Sequence, residues 1–404
     1  MQLVIEKKKI FVSLFIFAII FLVFNTRAFI PVDGINAVEK LFFLFAGVAF
    51  FFRPFNKDVA LLLFLSVLII LVCALFTKNP NFSWATCVKS MTQVIIVYLL
   101  CAGKISAQEK ELLLKFFAWL PAFILTLGVV YHLTNIRPMF TVEFLSGLPR
   151  LGLTMKPAFL GGFSVACIYA AFKCANYYGY KYFWLVVLNV LILLASTARI
   201  PLVMSFVLCA YVFFANFKGQ KNLKMFAVLF GVFFGVVIVV VAGDLILGRL
   251  TQTHMSGREI IWEHLRTVSA EYPNFGVGFG HQVEFMTRDV TILTGGTIGA
   301  HSELLRIKVE LGVIPSILFF VLFALMLILV AFNKSCTDKN EILIAGGLFF
   351  VFSYFDNALA TPSLFLYLIL VVLVNSNRNL HERDAHRNLG DGFYLHRNKN
   401  VGMS

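Results

Sequence analysis

Charge is scarce in this chain: Asp, Glu, Lys and Arg make up 14% of its 404 residues, while 60% are hydrophobic. A soluble domain has about a quarter of its residues charged, so this scarcity, with a mean hydropathy of +0.87, excludes a soluble globular protein and implies a polytopic membrane protein. Acidic residues are scarcer than basic ones, 21 against 34, for a net charge of +13. The Lys and Arg fall in short connections between apolar runs, which is the positive-inside pattern of a membrane protein, and no nucleic-acid partner is expected. There is no CxxC pair, and none of the seven cysteines lies in the two longest loops, which argues against structural disulfides and a metal site. A GxxxxGK[ST] phosphate loop and a Gly-rich dinucleotide fingerprint are also missing, which disfavours a nucleotide-driven pump. The opening "MQLVIEKKKIFVSLFIFAIIFLVF" lacks a small-residue cleavage site and reads as a retained first span.

What the chain has in abundance is apolar runs of bilayer length, about 20 residues each. They fall at roughly 10–26, 36–52, 58–76, 84–103, 112–133, 157–176, 182–198, 200–217, 225–248, 313–333, 341–356 and 362–376, so the expected fold is all-α with about 12 transmembrane helices. The weakest boundary is "LLASTARIPLVM", where only a few polar residues interrupt the run. One set of alternating ends holds Lys7 to Lys9, Arg53, Lys57, Lys104, Lys110, Lys173, Lys181, Lys218, Lys221, Lys224, Lys334, Lys339 and a basic tail at 377–404. By the positive-inside rule that side is cytoplasmic, with both termini there. The layout is then 1–248 (nine spans, with a smaller external loop at about 134–156), a large external loop at 249–312, three spans over 313–376, and the tail. External loops are where binding residues concentrate.

Several stretches carry candidate chemistry. In "STARIP", Arg199 stands at the external end of a span, either snorkelling to headgroups or presenting a planar fork to phosphate oxygens. "SGREIIWEHL" reads as a helix start, with Ser256 and Glu259 as a capping box, Ile260, Ile261 and Leu265 on one face and Arg258 in the first turn. A cation gains nothing from the macrodipole there, so Arg258 is either a solvated surface residue or shares with the helix amides in holding an anion. "YPNFGVGFG" is a Gly-rich stretch that reads either as a plain loop or as a turn able to approach a ligand closely. In "AHSELLRIKVELGV", Leu304, Leu305, Val309 and Leu311 alternate with Glu303, Arg306, Lys308 and Glu310, predicting a short amphipathic helix. His301 precedes it, either as a membrane-interface residue without chemistry or as a neutral, proton-accepting imidazole favoured by the positive helix end. Glu303 is placed to orient that ring, to bind a sugar hydroxyl or simply to cap.

The order "TAR" at a span end, "GREIIW", "PNFGVGFG" and "HSELLRIKVELG" entering another span resembles the O-antigen ligase and O-antigen polymerase family of bacterial membrane glycosyltransferases. The motifs cover residues 196 to 315. The resemblance implies a GT-C-like fold, the inner membrane with its loops in the periplasm, and no cofactor or metal. It further implies an undecaprenyl-pyrophosphate-linked glycan as donor, a glycan or lipid A core as acceptor in lipopolysaccharide biosynthesis, membrane lipids as surroundings and a chain-length regulator as partner. By the same resemblance Arg199 and Arg258 hold the pyrophosphate and His301 acts on the acceptor hydroxyl. Many family members have Asn after the histidine, where this chain has Ser302. Arg150 and Gly161, and again Arg288 and Gly299, have ten residues between them, resembling paired motifs in external loops of some polymerases. About one such spacing is expected by chance from the composition. On that excess the reading leans to polymerase over ligase, with Arg150 and Arg288 as further substrate-binding candidates. A lipid-linked glycan flippase would need charges spread through many spans, and Lys89 is the main mid-span charge.

Overall fold

The computed structural model describes residues 2–26, 29, 35–49, 56–142, 149–216, 258–294, 296 and 299–376. The span expected at 225–248, the Ser256 cap, Arg27, Lys218, Lys221, Lys224 and the basic tail lie outside these residues.

The remaining apolar runs are helices: α1 (Gln2–Phe24), α2 (Ile35–Ala49), α3 (Lys57–Phe76), α4 (Trp84–Ala102), α5 (Ala107–Leu133), α6 (Pro157–Tyr178), α7 (Phe183–Ser196) and α8 (Arg199–Asn216). After the loop helices α9 (Arg258–Glu271), α10 (Arg288–Leu293) and α11 (Glu303–Leu311) come α12 (Val313–Ala331), α13 (Lys339–Phe355) and α14 (Pro362–Asn375). Five of these (α3, α4, α5, α6 and α12) are long and apolar enough to cross a membrane. Four shorter apolar helices cover 11–24, 183–196, 199–215 and 362–375. The chain is a mostly helical membrane protein, with one two-stranded ribbon, β1 (Phe140–Val142) against β2 (Pro149–Leu151), among the described residues.

Local chemistry sets the helix ends. Ser106 and Glu109 form a reciprocal capping box on α5, Asp338 accepts from two amides at the start of α13, and Pro157 and Pro362 open α6 and α14 where no amide partner is needed. The ambiguous "LLASTARIPLVM" is two helices, because Thr197 turns left-handed (φ 52°) after α7 and Arg199 begins α8.

All fourteen residues of α14 are buried, as befits a helix apolar on every face. It packs on α4, α6 and α13. Helix α6 is nearly as enclosed, with 78% of its apolar stretch buried against 33% in α3 and α12, whose outer faces remain for lipid. Two close approaches fix this centre: a Cβ at Gly161 would collide with Ala198, and one at Gly162 with Ser363 and Leu364.

The connections gather at two ends of the bundle. At one, Asn25 Nδ2 donates to the Thr154 carbonyl (2.7 Å), Thr77 Oγ1 to Gly276 (2.8 Å), Asn79 Nδ2 to Val277 (2.8 Å) and Gln93 Nε2 to Ala360 (2.7 Å). At the other, Lys104 Nζ reaches Ser335 Oγ at 3.2 Å. Here too Glu341 receives Lys173, Tyr169 (2.7 Å) and Asn375 (2.7 Å), joining α6, α13 and α14. Lys173 belongs to the set of cations expected at the cytoplasmic ends, and its burial does not bear on that sidedness. The residue is 2% exposed and neutralised by Glu341, since a buried charge needs a partner.

Candidate functional site

All seven described arginines (Arg137, Arg150, Arg199, Arg258, Arg266, Arg288 and Arg306) lie in or beside the connections of the loop end. Its framework is α11, whose interior differs from the amphipathic pattern expected. Arg306 is 6% exposed, and its guanidinium sits between Glu303 and Glu310, with Nε 3.2 Å from Glu303 Oε1 and Nη1 2.7 Å from Glu310 Oε2. Phe279 faces the same guanidinium at 5.4 Å. The polar positions turn inward because the i, i+3 and i+4 spacing lets the Arg306 guanidinium pair with both carboxylates. Burial disfavours the Arg306 cation, yet Glu303 and Glu310 raise its pKa well above the usual value. Burial likewise raises the Glu310 carboxyl, which Arg306 partly offsets.

The glycine turn packs against this helix rather than standing open for a ligand, as the sequence reading allowed. Val277 and Gly278 amides donate to the Val309 and Glu310 carbonyls at 2.9 and 3.0 Å. At Gly276 (φ +61°) a Cβ would collide with the Glu310 backbone, so glycine is required there for its conformation and for the approach. Buried His281 closes the turn: Ser83 N–H donates to its Nε2 (2.8 Å), leaving Nδ1 to donate to the Phe279 carbonyl (3.1 Å).

On α9 the inward face is Ile261, Trp262, Leu265, Val268 and Ser269. Ile260, expected on that face, is 39% exposed, because the stripe follows i, i+1, i+4, i+7 from Ile261. Trp262 Nε1 donates to the Ala300 carbonyl at 2.8 Å. That bond holds the residue just before His301, whose backbone is left-handed (φ 48°), a conformation costing about 1–3 kcal/mol for a non-glycine residue. On the far side Ser302 caps α11 by accepting the Leu305 amide (3.3 Å). Asn fills an N-cap equally well, so the departure at Ser302 preserves the turn.

These restraints leave the His301 side chain 32% exposed, with Nδ1 3.5 Å from Asp356 Oδ1 and no hydrogen bond between them. Asp356 follows the last turn of α13, and its carbonyl accepts the Glu303 amide at 3.1 Å. Burial would raise the Asp356 carboxyl, but His301 and Arg258 together hold it below the ordinary range, so it is ionised at neutral pH. Arg258 Nη1 donates to the Phe355 carbonyl at 2.8 Å. His301, Asp356 and Arg258 therefore meet at one point.

Glu303, proposed from sequence beside the imidazole, is instead fully buried. Its carboxylate faces Arg306, and Oε2 accepts the Leu359 amide at 3.3 Å. Asp356 is the residue missed; its only sequence signal is a lone aspartate where a span ends. Arg199 is exposed at the start of α8. The turn before it is held by Arg150, whose Nε donates to the Ser196 carbonyl at 3.1 Å, and by Gly161 against Ala198. Arg150 and Gly161 thus converge on one turn, whereas Arg288 is exposed at the start of α10 and Gly299 lies against Asn357. The two matched spacings have unlike surroundings.

A bundle of apolar helices with arginines, a half-buried histidine and an ionised aspartate gathered at one end defines a membrane protein with a polar site in its connecting loops. Residues 184–320 match the family model described as O-antigen ligase. The match includes Arg199, Arg258, Arg288, His301 and Glu303 and agrees with the resemblance drawn from the motifs. No curated protein matches the chain.

Proposed function

We propose that this protein is an inner-membrane glycosyltransferase moving a glycan from an undecaprenyl pyrophosphate carrier to a hydroxyl acceptor at the periplasmic loop end. The observation that carries the reading is the meeting of His301, Asp356 and Arg258 beside a family domain of that kind. The acceptor oxygen attacks the anomeric carbon while its proton passes to His301. The bond from that carbon to the pyrophosphate oxygen breaks, and the leaving group departs with the electron pair. Asp356 favours the imidazolium so formed, and Arg199 and Arg258 stabilise charge developing on the leaving group. Glu303, having no exposed surface, holds the turn.

The family description favours lipid A core as acceptor, that is, a ligase. The Arg150–Gly161 and Arg288–Gly299 spacings favour a growing glycan, that is, a polymerase, but Gly161 has a packing reason of its own. Surface glycan ladders from a deletion strain separate the two. Loss of a ligase leaves core without any repeat and lipid-linked polymer behind it; loss of a polymerase leaves core bearing a single repeat. Restoring Arg258→Lys or Arg199→Lys, which keep charge but lose the bidentate fork, is expected to give severely shortened or absent ladders at normal protein levels. Wild-type ladders from both would remove the arginines from the chemistry.

The orientation has its own test. In a cysteine-free background, Thr287→Cys, in the large loop, is expected to react with an impermeant thiol reagent in outer-membrane-permeabilised cells. Lys334→Cys, exposed at the opposite end, is expected to stay unlabelled until the inner membrane is opened. The reverse pattern would invert the topology.

A further inference from the structure

A cavity of about 520 Å³ opens among the ends of α1, α2, α4, α6 and α14, and neither His301 nor Arg199 nor Arg258 lines it. Among the described residues, its polar wall carries Lys40, Lys89, Arg137 and Lys156 against one carboxylate, Glu39, a surplus of three positive charges. Its other wall is apolar, with Leu22, Phe159 and Phe163. Lys89 is the mid-span cation that the sequence left without a role. Among the described residues, Lys89 and Lys156 have no ion-pair partner, and Arg137 makes one long bond, Nη1 to the Thr154 carbonyl at 3.4 Å. Burial pushes the Arg137 pKa down, with no acidic group among the described residues offsetting it. Like charges are costly to gather without an anion between them, and the volume is that of an ordinary ligand site.

We infer that this cavity is a second anion site, separate from the arginines proposed to hold the leaving group, which takes the phosphate or diphosphate head of a lipid whose tail lies along the apolar wall. Three surplus charges exceed what a single sugar carboxylate would call for and suit a diphosphate, which Arg137 can grip with its fork while Lys89 and Lys156 act as point charges. The loop from Asp356 to Thr361 joins the catalytic candidate to the cavity wall. Five residues of chain span at most about 18 Å, so a lipid head held here lies within one saccharide unit or a few of His301. The sugar-transfer part of this picture rests on the proposed function; anion binding itself does not.

The test is equilibrium binding to purified full-length protein in neutral-lipid nanodiscs, without turnover. The probes are inorganic pyrophosphate, geranylgeranyl diphosphate, phosphatidic acid and glucuronate. The expected result is saturable binding of a lipid phosphate that weakens at least tenfold in Lys89→Gln/Arg137→Gln/Lys156→Gln and falls with added salt, but is retained in Arg258→Lys. The single variant Lys89→Gln, at an exposed position, is expected to give a several-fold loss even if the triple variant folds poorly. Preference for the prenyl diphosphate assigns the cavity to a donor-type carrier, and preference for phosphatidic acid to a phosphorylated acceptor lipid. Unchanged affinity in folded Lys89→Gln and the triple variant, or binding of glucuronate alone, would overturn the inference. Loss of glycan transfer in Arg258→Lys with cavity binding intact supports both proposals. Intact transfer in the Arg→Lys variants defeats only the proposed function.

Discussion

His301→Ala is expected to lower the transfer rate by about 10²-fold or more, the usual contribution of a positioned general base and about 2.7 kcal/mol of barrier, while donor binding persists. Asp356→Asn keeps the shape of the side chain and removes its charge. It is expected to cost at least about tenfold, because the imidazolium formed as the acceptor loses its proton is no longer supported. Since His301 and Arg258 hold the Asp356 carboxyl below the ordinary range, the folded state favours its ionised form. Its contribution to stability is present above the unfolded carboxyl value of about 3.9 and is lost only as pH falls through the lower folded one. The Asn variant should therefore lose activity across neutral pH rather than at one limb. The measurement is transfer by purified protein with lipid-linked donor, normalised to folded molecules. A His301→Ala protein that turns over at the wild-type rate would leave the loop end with arginines and no side-chain base.

Arg306→Ala is expected to be among the most damaging substitutions for folding. Removing the guanidinium strands Glu303 and Glu310, which are 0% and 1% exposed, and breaking one member out of a buried ionic cluster costs about 3–5 kcal/mol. Unpaired burial raises a carboxyl above its unfolded value near 4.3, so the folded variant binds protons more tightly than the unfolded chain. Its deficit then grows as pH rises through that value and shrinks in acid. Thermal unfolding in detergent at two pH values reads both effects. The replacement Glu303→Gln/Arg306→Met/Glu310→Gln, which leaves no buried charge, is expected to recover part of the loss. Wild-type unfolding of Arg306→Ala would mean that α11 is held by apolar packing alone.

What the sequence determined by itself was whatever depends on neighbours along the chain. The ends of α3 to α8 and α12 to α14 follow from apolar length, from caps such as Ser106 and Asp338, and from Pro157 and Pro362, each of which acts within a turn or two. The placement of Arg258 at a helix start, of Arg199 at a span end and of His301 just before a short helix was legible for the same reason. Tertiary structure decided which charges face one another. Periodicity sorts residues by polarity, and it put Arg306 and Glu310 on the outer face of α11; packing put them inside, where one guanidinium at helical spacing bridges two carboxylates. Gly276 read as an open turn because its steric demand comes from the Glu310 backbone 34 positions away. The carboxylate beside His301 read as Glu303, two positions on, but the helix turns that side chain inward to Arg306 and Leu359. Asp356, 55 positions away, is brought to the imidazole by α13 packing on α11. An ionic pairing of this range has no periodic trace in one dimension, since it is set by where two helices end in space.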